Sequence, residues 1–370
     1  MANNIRDGNF TIDVYSSGIQ VESWGGLVRD PASRLYVESF LAIVSSYIRA
    51  NDITTVTGLP ASGTYSLVGG SDGIPSDPDD QDALIIGNDV AGTGMQAIAD
   101  SEQYDVDLVA APGFSSTSVT LALIDLCQNV RSDCLAIIDS PFGFSVPEIV
   151  AWQNGAHNLN STKFDSDFGA LYWPWVKVRD TTNRVDVWIP PSGSVIATFV
   201  LSDNLGAPWM APAGLTRGIV PNIIDTYSKA SSEQRDLLYG YRNAVNPIIS
   251  FANTAGFIIW GQKTLQRRPT ALDRVNVRRL MFYLEKRVRS DARGLLFEPH
   301  DEALRNQFVS TADRILSQVK VLRGLNDYII KCDAELNPPD VVDRNELRAR
   351  IGVQPIRTAE FIFVEFSIHR

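Results

Sequence analysis

The sequence predicts an α/β fold: a layered domain with a mainly parallel sheet, then a smaller α+β domain. Three observations carry this. Residues 134–139 (CLAIID) are apolar at nearly every position, as in strands covered on both faces by crossover helices. Strand-like and helix-like stretches alternate from 105 to 201, the rhythm of βαβ units. From 272 onward two long amphipathic stretches replace that alternation and short strands follow them. Asn246-Pro247 marks the expected boundary, giving a layered domain over 1–245 and a smaller one over 246–370.

In chain order, residues 9–14 alternate like a strand and lead through Ser16-Ser17-Gly18 into a second run at 19–24, so a hairpin comes first. Asp30-Pro31 reads as a helix start, continued by Leu35, Phe40, Ile43, Val44 and Ile48. Residues 58–82 are rich in Gly, Ser, Pro and Asp without period, which predicts a long surface loop. Its Asp77, Asp79, Asp80 and Asp82 lack the glycine and distant glutamate of a calcium loop and read as solvated acids. Residues 87–94 lead into a helical stretch at 95–101. Without the full dinucleotide pattern or a phosphate-loop lysine, they read as a helix entry.

A strand at 105–111, a helix at 118–130, the strand at 134–139 and a helix at 146–152 come next. Residues 170–176 form an aromatic strand, 184–189 pair back onto the segment around Val178, and Pro190-Pro191 with Ser192 as cap opens a helix over 195–201. An extended piece at 216–220 and a helix at 231–240 complete the domain.

The smaller domain begins with an apolar strand at 257–260, broken by Arg267-Arg268-Pro269. The helix at 272–293 sets Val277, Leu280, Met281, Leu284 and Val288 on one face and Arg274, Arg278, Arg279, Lys286, Arg289 and Arg293 opposite. Val275 and Phe282 sit among those arginines, as on a helix packed on two sides. Leu295, Leu296 and Phe297 form a second apolar run before Glu298-Pro299. The helix at 301–322 carries one apolar stripe of Leu304, Phe308, Ala312, Ile315, Val319 and Leu322, and Gly324 ends it. A strand at 327–334, a loop from Pro338-Pro339, a short helix at 346–351 and a closing strand at 359–368 finish the chain.

That closing strand is apolar on both sides: Phe361, Phe363 and Glu365 on one, Ile362, Val364, Phe366 and Ile368 on the other. Such a strand needs a sheet, its own or a neighbour's. Glu360 through Phe366 is therefore the candidate inter-subunit strand, with Phe257, Ile258, Ile259 and Trp260, or Tyr328, Ile329 and Ile330, as acceptors.

Composition bounds the function. The 370 residues are 44% hydrophobic and 21% charged, ordinary for a globular chain of two domains. No apolar stretch approaches the roughly 20 residues that span a bilayer, and the start MANNIRDGNF lacks the regions of a signal peptide, so a soluble protein made inside a cell is expected. Cys127, Cys134 and Cys332 read as buried free thiols. The net charge of -10 is unevenly placed: residues 1–245 hold 13 basic and 28 acidic side chains, residues 246–370 hold 20 and 15. A basic surface facing an acidic partner fits that asymmetry.

Several ordered motifs give the chain a family resemblance: the Trp260-Gly261 strand end, Val275-Asn276-Val277-Arg278-Arg279, Phe297-Glu298-Pro299-His300-Asp301, Gly352-Val353-Gln354-Pro355 and Ala359-Glu360-Phe361, with Pro190-Pro191-Ser192-Gly193 and Ala211-Pro212-Ala213-Gly214 upstream. The chain resembles the tail sheath proteins of contractile phages and related injection machines over nearly its whole length. The resemblance implies a subtilisin-like fold for the layered domain and a structural subunit that forms hexameric rings, stacked helically around a tail tube in the virion. It also implies linkage between subunits by exchanged strands, and contact with tube, baseplate and tail terminator proteins. No cofactor, nucleic acid contact or membrane insertion goes with it. In sheath proteins the opening hairpin follows an N-terminal arm, whereas here the sequence starts at the hairpin. For the tube contact, the helix at 301–323 supplies Arg314, Lys320 and Arg323, and the preceding helix supplies Arg278 and Arg289 as second choices.

A subtilisin-like fold raises the question of hydrolysis. A serine hydrolase needs a nucleophile, a histidine base and an orienting carboxylate. Yet His157 lies in a polar loop, His300 follows a proline and His369 adjoins the end of the sequence. In the nearest counterpart of the nucleophile segment, Pro208-Trp209-Met210-Ala211-Pro212, Trp209 stands where a serine is required. No catalytic residues and no metal ligands are expected. The alternative to a sheath subunit is a hydrolase-derived, inactive protein that binds a small ligand or carbohydrate.

Overall fold

A computed structural model of the chain describes residues 8–16, 18–53, 58–67, 77–240, 242–251 and 256–360. It divides into two compact units, Met1–Gly73 and Ile74–Arg370. Of the closing strand, only the first residues up to Glu360 fall within the described range; Phe361, Ile362, Phe363, Val364, Glu365 and Phe366 lie outside it.

In the first unit β1 (Phe10–Ser16) and β2 (Ile19–Leu27) form the expected antiparallel hairpin. The helix α1 (Val37–Val44) starts several residues after Pro31, because Val28 first bridges to Tyr36. Leu27, Val37 and Leu41 are its buried centre, with Trp24 set edge-on to Phe40.

The second unit opens with α2 (Pro78–Ile86), where a loop was expected. The Asp77 carboxylate accepts the Asp79 N–H, Pro78 occupies the first turn and Asp79 and Asp80 face the positive end of the helix dipole. The acidic cluster is a helix start. Next come β3 (Leu108–Ala110), α3 (Thr117–Asp125) continued by a π-helical stretch at Leu126–Arg131, β4 (Leu135–Asp139), α4 (Val146–Gln153) and β5 (Gly169–Trp173). A cis Trp173-Pro174 peptide separates β5 from β6 (Val176–Asp180), so the aromatic stretch expected as one strand serves two sheets. The chain continues through β7 (Val185–Ile189), α5 (Pro191–Leu205), α6 (Gly214–Arg217), β8 (Ile219–Val220), β9 (Ile223–Thr226), α7 (Ser232–Leu238), β10 (Val245–Ile249), β11 (Phe257–Ile259) and α8 (Val275–Ala292). It closes with α9 (Glu302–Val321), β12 (Leu325–Lys331), α10 (Pro339–Val342) and β13 (Arg350–Pro355).

The central sheet has the order β3-β4-β5-β10-β11-β8. Its first four strands are parallel; β11 and β8 add on antiparallel, so the sheet is mixed with a parallel heart. Alternation along β4 and β5 feeds two cores. Ala136, Ile138, Leu171 and Trp173 pack with Leu123, Ile149, Trp152 and Leu238 on one side. Leu135, Ile137, Ala170 and Tyr172 pack with Val195, Phe199, Val275 and Phe282 on the other. This is the three-layer arrangement that an all-apolar strand demands. A second sheet, β7-β6-β9, includes the expected pairing of 184–189 with the Val178 segment.

The boundary expected at 245/246 falls inside β10, which hydrogen-bonds to β5 as part of the central sheet. The third core lies beyond it, where Trp209, Leu280, Leu284, Ile315, Leu316, Val319 and Leu325 meet between α8, α9 and β12. α8 thus supplies Val275 and Phe282 to the sheet and Leu280 and Leu284 to this core, packed on two sides as its sequence suggested. Residues 346–351 are not helical. β13 pairs along β12, and Gly352 fits because any Cβ there would meet Ile329 Cγ2 at 2.9 Å.

Candidate assembly site

The last described residues of the chain are anchored by one carboxylate. Glu360 Oε1 accepts hydrogen bonds from Arg274 Nε (2.7 Å), the Tyr239 hydroxyl (3.0 Å) and Gln262 Nε2 (3.1 Å); Gln262 Nε2 also reaches Thr358 Oγ1 (2.6 Å). Each partner is held by an element of the layered unit. Arg274 is the N-cap of α8, Tyr239 ends α7, and Gln262 follows β11. Gly261 permits this approach, since a Cβ there would lie 2.8 Å from the Tyr239 ring and 2.9 Å from Asn246 Oδ1. Lys263 lies beneath, its ammonium bonded to the carbonyls of Tyr239 (2.8 Å) and Gly240 (2.7 Å).

Electrostatics tie the cluster together. Burial, and next the Arg274 guanidinium, pull the Lys263 ammonium below its usual range. Burial, and next the Glu360 charge, push the Tyr239 phenol well up, so it remains a donor. A charge-assisted bond of this kind is stronger than a neutral one. The cluster stands at the lip of a cleft of about 830 Å³ lined by Trp209, Met210, Trp260, Val277 and Ile356 among others.

Beside it, β12 and β13 make a two-stranded sheet whose inner face, Tyr328, Ile330, Ile351 and Val353, packs on the α8–α9 core. Ile329 points outward and is exposed. Among the described residues, β12 and β13 each have one edge without a strand partner. β11 differs: β10 occupies one edge and β8 the other, so Phe257, Ile258 and Ile259 are not available as acceptors. Trp260, just past β11, stacks edge-on with Phe251. Sequence pattern found both apolar strands, but only pairing reveals which has an open edge.

The basic candidates separate in the same way. Arg314 and Lys320 lie on the exposed side of α9, paired with Asp291 (3.1 Å) and Asp327 (2.9 Å). Arg323 is exposed just after α9. Arg289 is exposed and lines a charged cleft with Lys286 and Arg293. Arg278, expected at the surface, is buried. Only 7% exposed, it pairs with Asp167 (3.3 Å) and lies over the Phe168 and Phe282 rings at 3.6 and 4.5 Å, so it has no surface to offer a partner. Arg279 is buried too, held bidentately by Asp203.

At the carboxyl end of the parallel strands, where α/β folds place ligands, Asp139 ends β4. It accepts the Ser192 N–H and hydroxyl, each at 2.7 Å, and the Gly113 N–H at 3.2 Å. Ser192, expected as a cap, instead sits inside the first turn of α5 and spends its hydroxyl on this bond. Burial raises the Asp139 carboxyl to about 6. Carboxylate and hydroxyl thus satisfy each other directly, with no imidazole between them. His157 packs against Phe144, and Trp209 plugs the third core with its ring against Tyr283.

The arrangement defines a three-layer α/β protein that ends in an open-edged sheet and an anchored C-terminal segment. Residues 86–265 match the phage tail sheath protein central domain, and residues 268–369 match the phage tail sheath C-terminal domain. The chain belongs to the phage tail sheath family. It is 32% identical over 329 residues to the tail sheath protein of Vibrio phage KVP40, covering 82% of this chain and 46% of that protein. It is 30% identical over 294 residues to the tail sheath protein of Enterobacteria phage T4, covering 75% and 44%. The chain therefore spans about half the length of the curated relatives it matches. Among solved structures, a chain of the anti-feeding prophage baseplate has the same fold (TM-score 0.60, 19% identity, 80% of this chain and 84% of that one). So does a chain of an extracellular contractile injection system sheath in its contracted state (TM-score 0.62, 22% identity, 74% and 75%).

Proposed function

We propose that the chain is a structural, non-enzymatic subunit of a contractile tail sheath, which polymerises as stacked helical rings around a tail tube and shortens to drive the tube through a host envelope. The observation that carries this reading is the pairing of an open-edged β12–β13 sheet with a C-terminal segment clamped at Glu360. Residues 360–366 supply the strand, and the free edge of β12, with Tyr328, Ile329 and Ile330, receives its counterpart from a neighbour. Main-chain hydrogen bonds contribute roughly 0.5–1.5 kcal/mol net each, so several per subunit, repeated around every ring, keep subunits linked while they rotate. Rotation is rigid-body, and its energy is the difference between two packings of folded subunits, with no nucleotide consumed.

The tube contact falls to the exposed side of α9, with Arg314, Lys320 and Arg323, and with Arg289 beside it. Baseplate and terminator proteins meet the ends of the assembly, in a virion tail. Electron microscopy of the assembled particle tests the reading. Chains lacking residues 359–370 should remain folded by circular dichroism but form no sheaths, and purified particles should contract without ATP. Long sheaths from the truncated chain, or a nucleotide requirement, would overturn it.

A further inference from the structure

Cys127 and Cys134 face each other across a turn. Cys127 lies in the π-helical stretch that ends α3, Ser132 (φ 63°) turns the chain, and Cys134 immediately precedes β4. Their sulfurs are 3.5 Å apart and both residues are fully buried. Arg131, between them in sequence, is fixed by Asp133 (Nε to Oδ1 2.9 Å, Nη2 to Oδ2 3.1 Å) and by the carbonyls of Ile98 and Tyr104, which leaves its guanidinium against the Cys134 sulfur. Two sulfurs fall short of the four ligands of a structural zinc site, and among the described residues no group of three or more His, Cys, Asp or Glu side chains is placed to hold a metal. π-Helical turns are seldom kept without a local reason.

We propose that Cys127 and Cys134 form a redox-active dithiol, a modification site at which a small peroxide makes an intrachain disulfide. The hydrogen bond shared between the two sulfurs, and after it the Arg131 guanidinium, favours the thiolate at Cys134. Because both sulfurs are buried in the closed fold, the peroxide enters by local opening of the turn at Ser132; the thiolate attacks one peroxide oxygen, the O–O bond breaks, hydroxide leaves and takes a proton to become water, and Cys134 becomes a sulfenic acid. The Cys127 sulfur then attacks the Cys134 sulfur, the S–O bond breaks and a second water leaves. Two thiols are oxidised by two electrons and one peroxide is reduced to two waters. Closing from 3.5 Å to the roughly 2.0 Å of an S–S bond is a short movement for sulfurs already this near. The bridge ties the end of α3 to the central strand β4. Cys332, buried just after β12 as a free thiol, is the built-in control.

Peptide mapping of the native chain after hydrogen peroxide tests this, because trypsin cuts after Arg131 and separates the two cysteines. The expected result is a pair of peptides held together until reductant is added, with Cys332 still open to alkylation after unfolding, and a melting temperature that rises on oxidation and falls back on reduction. In Cys127→Ala, which preserves a small apolar side chain, Cys134 should be trapped as sulfenic acid by dimedone. Recovery of both cysteines as free thiols, oxidation of Cys134 to sulfinic acid without a bridge, or modification of Cys332 first would each overturn the proposal.

Discussion

Helices α8 and α9 follow one another, run 18 and 20 residues and are both rich in basic side chains, yet their charges meet opposite fates. α8 lies between the central sheet and the third core, so Arg278 and Arg279 are folded in and each finds an aspartate and an aromatic face. α9 packs on one side only, and Arg314 and Lys320 keep much of their side chains in solvent while pairing with Asp291 and Asp327. The difference shows that a basic helix face is not by itself a binding face. What decides is how many layers the helix separates.

The contrast breaks first at Arg279. Arg279→Ala leaves Asp203 partly buried without its partner and should cost about 3–5 kcal/mol in chemical denaturation, while Arg279→Met with Asp203→Leu should recover most of it. A loss below about 1 kcal/mol would place Arg279 with the exposed α9 pairs.

Asp139 extends the comparison to a buried carboxyl with no cation beside it. Its pKa is raised, so the folded state binds the proton more tightly than the unfolded chain does. The stability it contributes is present below its unfolded value near 4 and is lost as pH rises toward 6. Subtracting the stability curve of Asp139→Asn from that of the native chain should isolate a fall of about 2–3 kcal/mol over that window. A flat difference curve would mean the carboxylate is held ionised by Ser192 and Gly113.

On α9, Arg314→Glu with Lys320→Glu should change subunit stability by no more than about 1 kcal/mol, as exposed pairs do, while weakening sheath assembly on tubes in electron micrographs. Unchanged assembly would remove these residues from the tube contact. The smallest expected effect is at Arg323, which takes a left-handed φ of 63° at the end of α9. Arg323→Gly should shift thermal stability upward by roughly 0.5 kcal/mol, because glycine adopts that conformation at no steric cost.

Much of the site was legible, for a physical reason. The 134–139 strand announced burial on both faces because it offered no polar side to water. Val275 and Phe282 among arginines announced two-sided packing on α8. The end of α9 was also anticipated, though Arg323 rather than Gly324 takes the left-handed turn. Gly324 serves close packing instead, since a Cβ would meet Val319 Cγ1 at 2.5 Å. The Glu360 cluster was missed. Its members are spread from Tyr239 to Glu360, and only Trp260-Gly261-Gln262-Lys263, a glycine beside polar residues inside an apolar run, hinted at a close approach there.

By itself the sequence determined the strand and helix rhythm, the two-sided burial of the central strands and the family motifs, because each is written in local periodicity or in residue identity. The tertiary structure decided which strand edges are open, which arginines are buried, that β10 continues the sheet across the expected boundary, and that 350–355 is a strand. Those outcomes depend on partners distant in the chain: β8 closing β11, Asp203 receiving Arg279, β5 pairing β10 and β12 pairing β13. Hydrogen-bond pairing and desolvation are set by such partners, and no local window of sequence contains them.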